Sequence, residues 1–428
     1  MNSWSVTRGW FPTRFDLRGR RFTLLCLIWL LFLSGCQAAT VETGLDDVVQ
    51  LQKILRHQKV GLVTNQTAYD TKGRHIVDVI AGLKDVQLVA LFGPEHGIRG
   101  AQEAGAKIAS EHDPARNVPI YSLYGARRKP TPRMLHGIDV LVFDIQDIGA
   151  RFYTYIYTMA LVMEAAAEQG IKFVVLDRPN PISGNHVEGN LLEPQFASFV
   201  GLYPLPVRHG LTVGELASLI NAEGWLRQSA HADLSVIPMK HWARDEWFDQ
   251  TGLTFRAPSP NMRDLATATV YPGLCLLEGT NVSEGRGTAH PFTLFGAPWI
   301  DAQRLCVRLN ELGLTGVHFE PTLFTPTSIP GVAKHPKYAD RSCFGAEIHV
   351  TDRNIFKPYW TGIQIVNLLQ ADYADSLVWR PAHFDRLCGT DNIRKAIIAG
   401  KDLGALRETW QSRLTEFEKT RQQYLLYR

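Results

Sequence analysis

The chain has 428 residues, 45% of them apolar and 20% charged, with a formal net charge of +3 and no repeat or low-complexity block, which is a globular composition. The positive excess belongs to residues 1–35, which hold five Arg and one Asp; the remaining 393 residues carry a net −1. Nothing in that balance asks for a nucleic-acid partner or an anionic membrane patch, and the length suffices for two ordinary domains.

In chain order, Arg8, Arg14, Arg18, Arg20 and Arg21 precede an apolar run over 22–33. That run is shorter than a bilayer span and has the size of a signal-peptide core. It ends in Leu33-Ser34-Gly35-Cys36, which looks like a bacterial lipobox. The expectation is a lipoprotein signal peptide over 1–35 and lipidation at Cys36. The mature chain is then exported and lipid-anchored to the cell envelope, at the periplasmic face, with Gln37 fitting an outer-membrane destination. Cys275, Cys306, Cys343 and Cys388 remain in an oxidising compartment, able to form two disulfides or none.

From about residue 50, strands alternate with helical periods. Residues 59–65 (KVGLVTN) predict a first strand, and 74–83 a helix with Ile76, Val79, Ile80 and Leu83 on one face. Residues 86–92, 118–123 and 138–145 predict three more strands. A helix over 155–169 closes at Gly170 as its C-cap, and 171–177 is a fifth strand. Thr212-Val-Gly-Glu215 is a capping box that opens a helix to about residue 223, and 234–238 is a short sixth strand. This alternation predicts a Rossmann-like parallel sheet domain over 50–262, with helices on both faces. The style changes across 261–271. Beyond it, 306–312 and 362–369 read as helices and 317–324 and 346–351 as strands, a smaller α+β domain over 263–428.

The polar residues at the strand ends carry the chemical signal. The run 88–92 stops at Gly93-Pro94 and then presents Glu95 and His96. In open α/β sheets, ligands bind just beyond the carboxyl ends of the strands. Three other strands also end in polar groups: Asn65-Gln66, Asp144-Ile-Gln146-Asp147, and Asp177-Arg178-Pro179-Asn180. Glu188 follows the fifth strand on the same predicted edge. A second segment, Glu278-Gly-Thr-Asn-Val-Ser-Glu-Gly-Arg-Gly-Thr288, sets two carboxylates, an Asn and an Arg among glycines. Glycines allow close backbone approach to a ligand. It lacks the Gly-Lys-Ser/Thr of a phosphate loop, and no G-x-G-x-x-G follows the first strand, so no cofactor is expected. His96, His112, Asp144, Asp147 and His290 lack the spacing of a metal site, and no G-x-S-x-G supplies a serine nucleophile.

Glycosidic cleavage needs two positioned acids, one donating to the leaving oxygen and one acting as base or nucleophile. Glu95 suits the first role, with Glu284, Glu278 or Glu188 as its partner. A metal-dependent wall amidase or esterase and a non-catalytic sugar-binding lipoprotein are the competing readings.

Several long motifs occur together in this order: Asn65-Gln-Thr, Phe92-Gly-Pro-Glu-His-Gly-Ile-Arg-Gly100, Phe143-Asp-Ile-Gln-Asp-Ile-Gly149, Asp177-Arg-Pro-Asn-Pro181 and the 278–288 segment. From about residue 50 to its end, the chain resembles the exo-β-N-acetylmuramidase family of bacterial cell-wall hydrolases, long known as a domain of unknown function. The resemblance implies a Rossmann-like domain joined to a smaller one, with the active site in the cleft between them. It implies release of N-acetylmuramic acid from the non-reducing end of peptidoglycan fragments by glutamate catalysis. By motif, Glu95 is the first catalytic residue and Glu284 and Glu188 are candidates for its partner. His96, Asp144, Arg178, Asn180, Glu278, Asn281 and Arg286 would line the sugar site, with Arg178 or Arg286 pairing with the lactyl carboxylate.

Overall fold

The computed structural model describes residues 9, 39–100, 102 and 111–428. Apart from Gly9, the expected signal peptide lies outside the described residues, as does the lipid site Cys36. No helix among the described residues is long and apolar enough to cross a membrane.

Seven strands form one sheet: β1 (Lys59–Thr64), β2 (Gln87–Gly93), β3 (Glu111–Asp113), β4 (Val118–Ser122), β5 (Val140–Asp144), β6 (Lys172–Leu176) and β7 (Leu234–Ile237), in the order β3-β4-β2-β1-β5-β6-β7. All neighbours are parallel except the short edge pair β3–β4. The strands are apolar on both faces because both are covered, as parallel sheets require. Period-2 alternation then sorts their side chains. Leu141, Phe143, Phe173 and Val175 join one core with the helices α4 (Tyr155–Gln169) and α5 (Val213–Ala222). Val140, Val142, Val174 and Leu176 join the other with α1 (Val48–Leu55) and α2 (Ile76–Ala81). A one-turn helix, α3 (Pro132–Leu135), leads into β5. The helix α4 has the bounds its sequence predicted, with Gly170 left-handed at φ 63°. The Thr212–Glu215 capping box is formed as well.

The smaller domain has an antiparallel sheet, β8 (Leu294–Ala297), β10 (Cys343–Val350) and β9 (Val317–Phe324), backed by α7 (Ala302–Glu311). The helices α6 (Leu265–Leu274) and α8 (Pro358–Asp372) cross at two glycines. A Cβ on Gly362 would lie 2.3 Å from the Gly273 carbonyl oxygen, and one on Gly273 only 1.9 Å from that of Pro358. Three helices complete the chain: α9 (Pro381–Cys388), α10 (Asn392–Ile398) and α11 (Leu403–Arg421). One apolar cluster runs unbroken from Phe143 and Phe173 through Tyr271 and Phe295 to Ile363 and Phe384, so the two sheets share a core. Buried Arg151 ties the halves further. Its Nη1 donates to the Asn190 and Leu205 carbonyls (2.7 and 2.8 Å) and its Nη2 to the last carbonyls of α9, Leu387 and Cys388 (3.0 and 2.7 Å). Cys275, Cys306, Cys343 and Cys388 are all buried free thiols.

Candidate active site

The chain leaves β2 in a turn that only a glycine-rich segment can make. A Cβ on Gly93 would sit 2.9 Å from the Ile98 amide. His96 (φ 68°) and Gly97 (φ 74°) are left-handed in succession, a conformation that non-glycine residues adopt rarely. The turn brings Glu95 and His96 to the floor of a cleft of about 400 Å³ whose far wall carries Glu278 and Arg286.

Thr154 is the N-cap of α4, yet its hydroxyl does not cap the helix. It donates instead to Glu95 Oε2 at 2.7 Å, which fixes the carboxyl's rotation. Tyr155, Tyr153, Tyr271 and Phe292 follow one another edge to face, with centroids 4.8–6.0 Å apart, and form an aromatic side to the cleft. The Tyr153 hydroxyl is buried with no hydrogen-bond partner among the described residues.

His96 is buried, and burial lowers its pKa, with the nearby Glu95 carboxylate opposing and Arg286 reinforcing the fall. The net effect favours the neutral ring. Its Nδ1 lies 2.6 Å from the Gln102 carbonyl oxygen. A carbonyl only accepts, so Nδ1 carries the proton and Nε2 is the acceptor.

The far wall is an ionic clasp. Arg286 Nη2 donates to Glu278 Oε1 at 2.7 Å, and His383 Nε2 stands 3.4 Å from Glu278 Oε2. Arg286 Nε is 3.3 Å from Glu284, which also receives Lys337 Nζ at 2.9 Å. Burial works against the charge on Glu278, but Arg286 and His383 overcome it and hold the carboxyl at about 2. For Arg286, burial disfavours the cation, and the two glutamates raise its pKa nonetheless. Close packing sets this geometry, since a Cβ on Gly279 would be 2.5 Å from Phe384 Cβ. The turn Cys275–Gly279 thus lies against α9, with Glu278 beside His383. A second cavity of about 440 Å³ lies beyond the clasp and shares Glu278, Arg286 and His383 with the first; Glu284 and Lys337 line only the second.

The structure therefore brings together Glu95, His96, Glu278 and Arg286, with Glu284 directly behind. It does not bring the other expected residues to this cleft. Arg178 is committed to Asp144 in a buried two-pronged pair at the ends of β6 and β5, with Nη2 to Oδ2 at 2.9 Å, so it has no fork left for a lactyl carboxylate. Asn180 donates to the Leu211 carbonyl and accepts from the Ile182 amide. Glu188 lines a separate pocket of about 190 Å³, where its Oε1 accepts the Trp360 amide at 2.9 Å and Arg208 lies 3.9 Å from its Oε2. Asn281 staples its loop to Ser376 and Val378 (both 2.9 Å). Asp147, weighed as a metal ligand, is buried against the Gly149 amide, and burial raises its pKa to about 7 despite that bond. Among the described residues no three His, Cys, Asp or Glu side chains converge on one point.

Sequence reasoning missed Thr154 and Tyr153, and also Arg128 and Arg386, which both line the cleft. The run Tyr153-Thr-Tyr155 directly before a predicted helix was the available signal for the first two. Arg128 and Arg386 are 258 positions apart in the chain, and no local pattern joins them.

Two family models match nearly the whole described chain: "Exo-beta-N-acetylmuramidase NamZ, N-terminal" over residues 60–266 and its C-terminal counterpart over 269–427. The chain is 47% identical over 389 residues to the peptidoglycan beta-N-acetylmuramidase NamZ of Bacillus subtilis, covering 90% of this chain and 91% of that protein. Two solved DUF1343 family proteins of Bacteroides fragilis share the fold. One has a TM-score of 0.83 at 36% identity and the other 0.73 at 34%, each covering 91% of this chain and 99% of its own.

Proposed function

We infer that this chain, which belongs to the exo-β-N-acetylmuramidase NamZ family, is a glycoside hydrolase that removes N-acetylmuramic acid from the non-reducing end of peptidoglycan fragments. One observation carries the assignment to this cleft: two glutamates, Glu95 and Glu278, face the same space. Glu95 is bonded by a neutral hydroxyl and lies among aromatic rings. Glu278 is clasped by the Arg286 cation, with His383 beside it, and stays ionised.

In this reading Glu95 is the general acid. Thr154 fixes its carboxyl, and the proton passes to the glycosidic oxygen as the C1–O bond breaks; water forms the new bond at C1, its oxygen staying on the released sugar and its proton returning to the carboxyl pair. Glu278 is its charged partner, placing a negative charge against the positive charge that develops on the sugar ring. Neutral His96 offers Nε2 as an acceptor for a sugar hydroxyl. Glu284 acts through Arg286, which it helps to hold. The turnover of a chromogenic β-N-acetylmuramide tests this. Glu95→Gln should lose about 10²–10⁴-fold in kcat/KM, the usual worth of a positioned proton donor, with its unfolding transition unchanged. Full activity in that variant removes Glu95 from catalysis. Activity abolished by a chelator and restored by zinc would instead favour a metal-dependent hydrolase.

The lipobox supports an exported protein anchored to the envelope through Cys36. Replacing Cys36→Ala should move the protein from the membrane fraction to the soluble one; an unchanged distribution counts against anchoring.

A further inference from the structure

The cleft holds charges of two kinds. Those at its centre are matched, since Arg286 sits between Glu278 and Glu284 and Lys337 completes the set. Those contributed by Arg128 and Arg386 are not. Both side chains line the cleft and both are exposed. Among the described residues neither guanidinium is within ion-pair distance of a carboxylate. Each is nevertheless held in place by an uncharged group. Arg128 lies over the Phe199 ring, 4.4 Å from its centroid. Arg386 Nε donates to the Ala382 carbonyl at 2.9 Å, one turn back in α9, and its Nη2 is 3.5 Å from His383 Nδ1.

This arrangement is unlike the other arginines near the strand ends, where Arg178 and Arg244 are neutralised by Asp144 and Glu215. A cation stacked on a ring keeps its N–H donors unspent. A pinned guanidinium has also lost much of the rotamer freedom that binding would otherwise cost. Arg128 comes from the loop after β4 and Arg386 from α9, so the two halves of the protein each supply one cation to the same small cleft.

We propose that Arg128 and Arg386 together form a carboxylate-binding subsite that recognises the O-3 lactyl group of the sugar to be released, and so set the preference for N-acetylmuramic acid over N-acetylglucosamine. The proposal rests on the activity inferred above. The two sugars differ only in the lactyl ether, and its carboxylate is the only charge on the ring. A forked guanidinium matches a carboxylate in shape as well as sign. The expectation that Arg178 or Arg286 takes this group gives way to residues whose donors are not already committed to acids.

The test uses the full-length protein with p-nitrophenyl β-N-acetylmuramide, its methyl ester, and the corresponding N-acetylglucosaminide. Arg128→Ala and Arg386→Ala should each lower kcat/KM on the acid by about 10–100-fold, as expected for losing a charged hydrogen bond. Most of that loss should appear in KM. On the methyl ester and the glucosaminide, which carry no carboxylate, both variants should lose far less than on the acid; Arg386→Ala should lose the more of the two there, because its contact with His383 beside Glu278 goes as well. Arg→Lys at each position should recover part of the loss, because charge remains and the fork is gone. For the wild type, the methyl ester should be as poor a substrate as the acid is for the double variant. Variants that keep the parental kcat/KM and the parental discrimination overturn the proposal. Calorimetric titration with free N-acetylmuramic acid separates it from the activity assignment. A wild type that binds the acid but turns nothing over overturns the glycosidase reading and leaves the subsite standing; a wild type that neither binds nor cleaves the acid overturns both.

Discussion

Replacing Glu278→Gln keeps the size of the side chain and one hydrogen-bond acceptor but removes the charge that Arg286 and His383 enclose. Its carboxyl is displaced from an ordinary 4.5 to about 2, and its side chain is only 21% exposed, so solvent screens it little. That displacement corresponds to about 3 kcal/mol of folded-state stabilisation of the ionised form. An acid whose pKa is depressed by folding stabilises the protein above its unfolded value, and that stabilisation drains away as pH falls from about 4.5 toward 2. Urea unfolding of the wild type and the variant should therefore differ by about 3 kcal/mol at pH 7 and by only about 1 kcal/mol at pH 3. The subtraction cancels the groups that titrate independently of Glu278. The same variant should lose at least about 100-fold in kcat/KM at pH 7, because a positioned charge facing the transition state is gone. A stability gap that is the same at both pH values would mean that packing, not charge, is what the glutamate provides. A variant as stable as the wild type would mean that the clasp holds nothing.

Arg178→Ala should destabilise the fold by about 3–5 kcal/mol in urea unfolding, since it strands the Asp144 carboxylate with no exposure to water. A loss below about 1 kcal/mol is inconsistent with a buried pair. Gly362→Ala should cost at least about 1 kcal/mol although alanine is the better helix former, because the added carbon meets the Gly273 carbonyl; a stabilised variant would show that α6 and α8 separate readily.

The parallel-sheet domain was legible because its signals are local. Apolar runs buried on both faces mark the strands, and Gly170 and the Thr212–Glu215 box mark helix ends by chemistry that needs no partner far off in the chain. The C-terminal helices were less legible. The helix α11 carries Leu403, Leu406, Trp410, Leu414 and Phe417 at spacings of three and four, a stripe present in the sequence, but its charged remainder obscures it. The helix α6 begins inside the stretch 261–271, which reads as a transition because Pro272 interrupts the pattern.

The site was half legible, for a physical reason. Polar residues at the carboxyl ends of parallel strands do share one edge of the sheet, as expected. Most of them are there to satisfy the backbone and one another. Asp144 serves Arg178. Asp177 accepts from Thr212, Gly214 and Tyr427, and burial together with Glu215 raises it to about 7. Asn65 holds the turn at Thr67. Of the polar strand-end residues expected at the site, Glu95 and His96 after β2 are the ones that reach the cleft, carried there by the left-handed turn at His96. The glutamate loop was recognisable by its glycines and by its concentration of opposite charges. Which of its acids faces Glu95 depends on contacts with Lys337 and His383, distant in sequence.

The ion pair between Arg286 and Glu278, with His383 beside it, does more than set a charge. The same three residues face both cavities, so they stand as a partition between the two. A glycan that enters the Glu95 cavity by its end would meet these three side chains at the back of it. A chain-end enzyme needs a terminus of that kind, and here it is fastened by the carboxylate we assign to the reaction itself. Loosening it should therefore blur the distinction between the last sugar of a glycan and those within it.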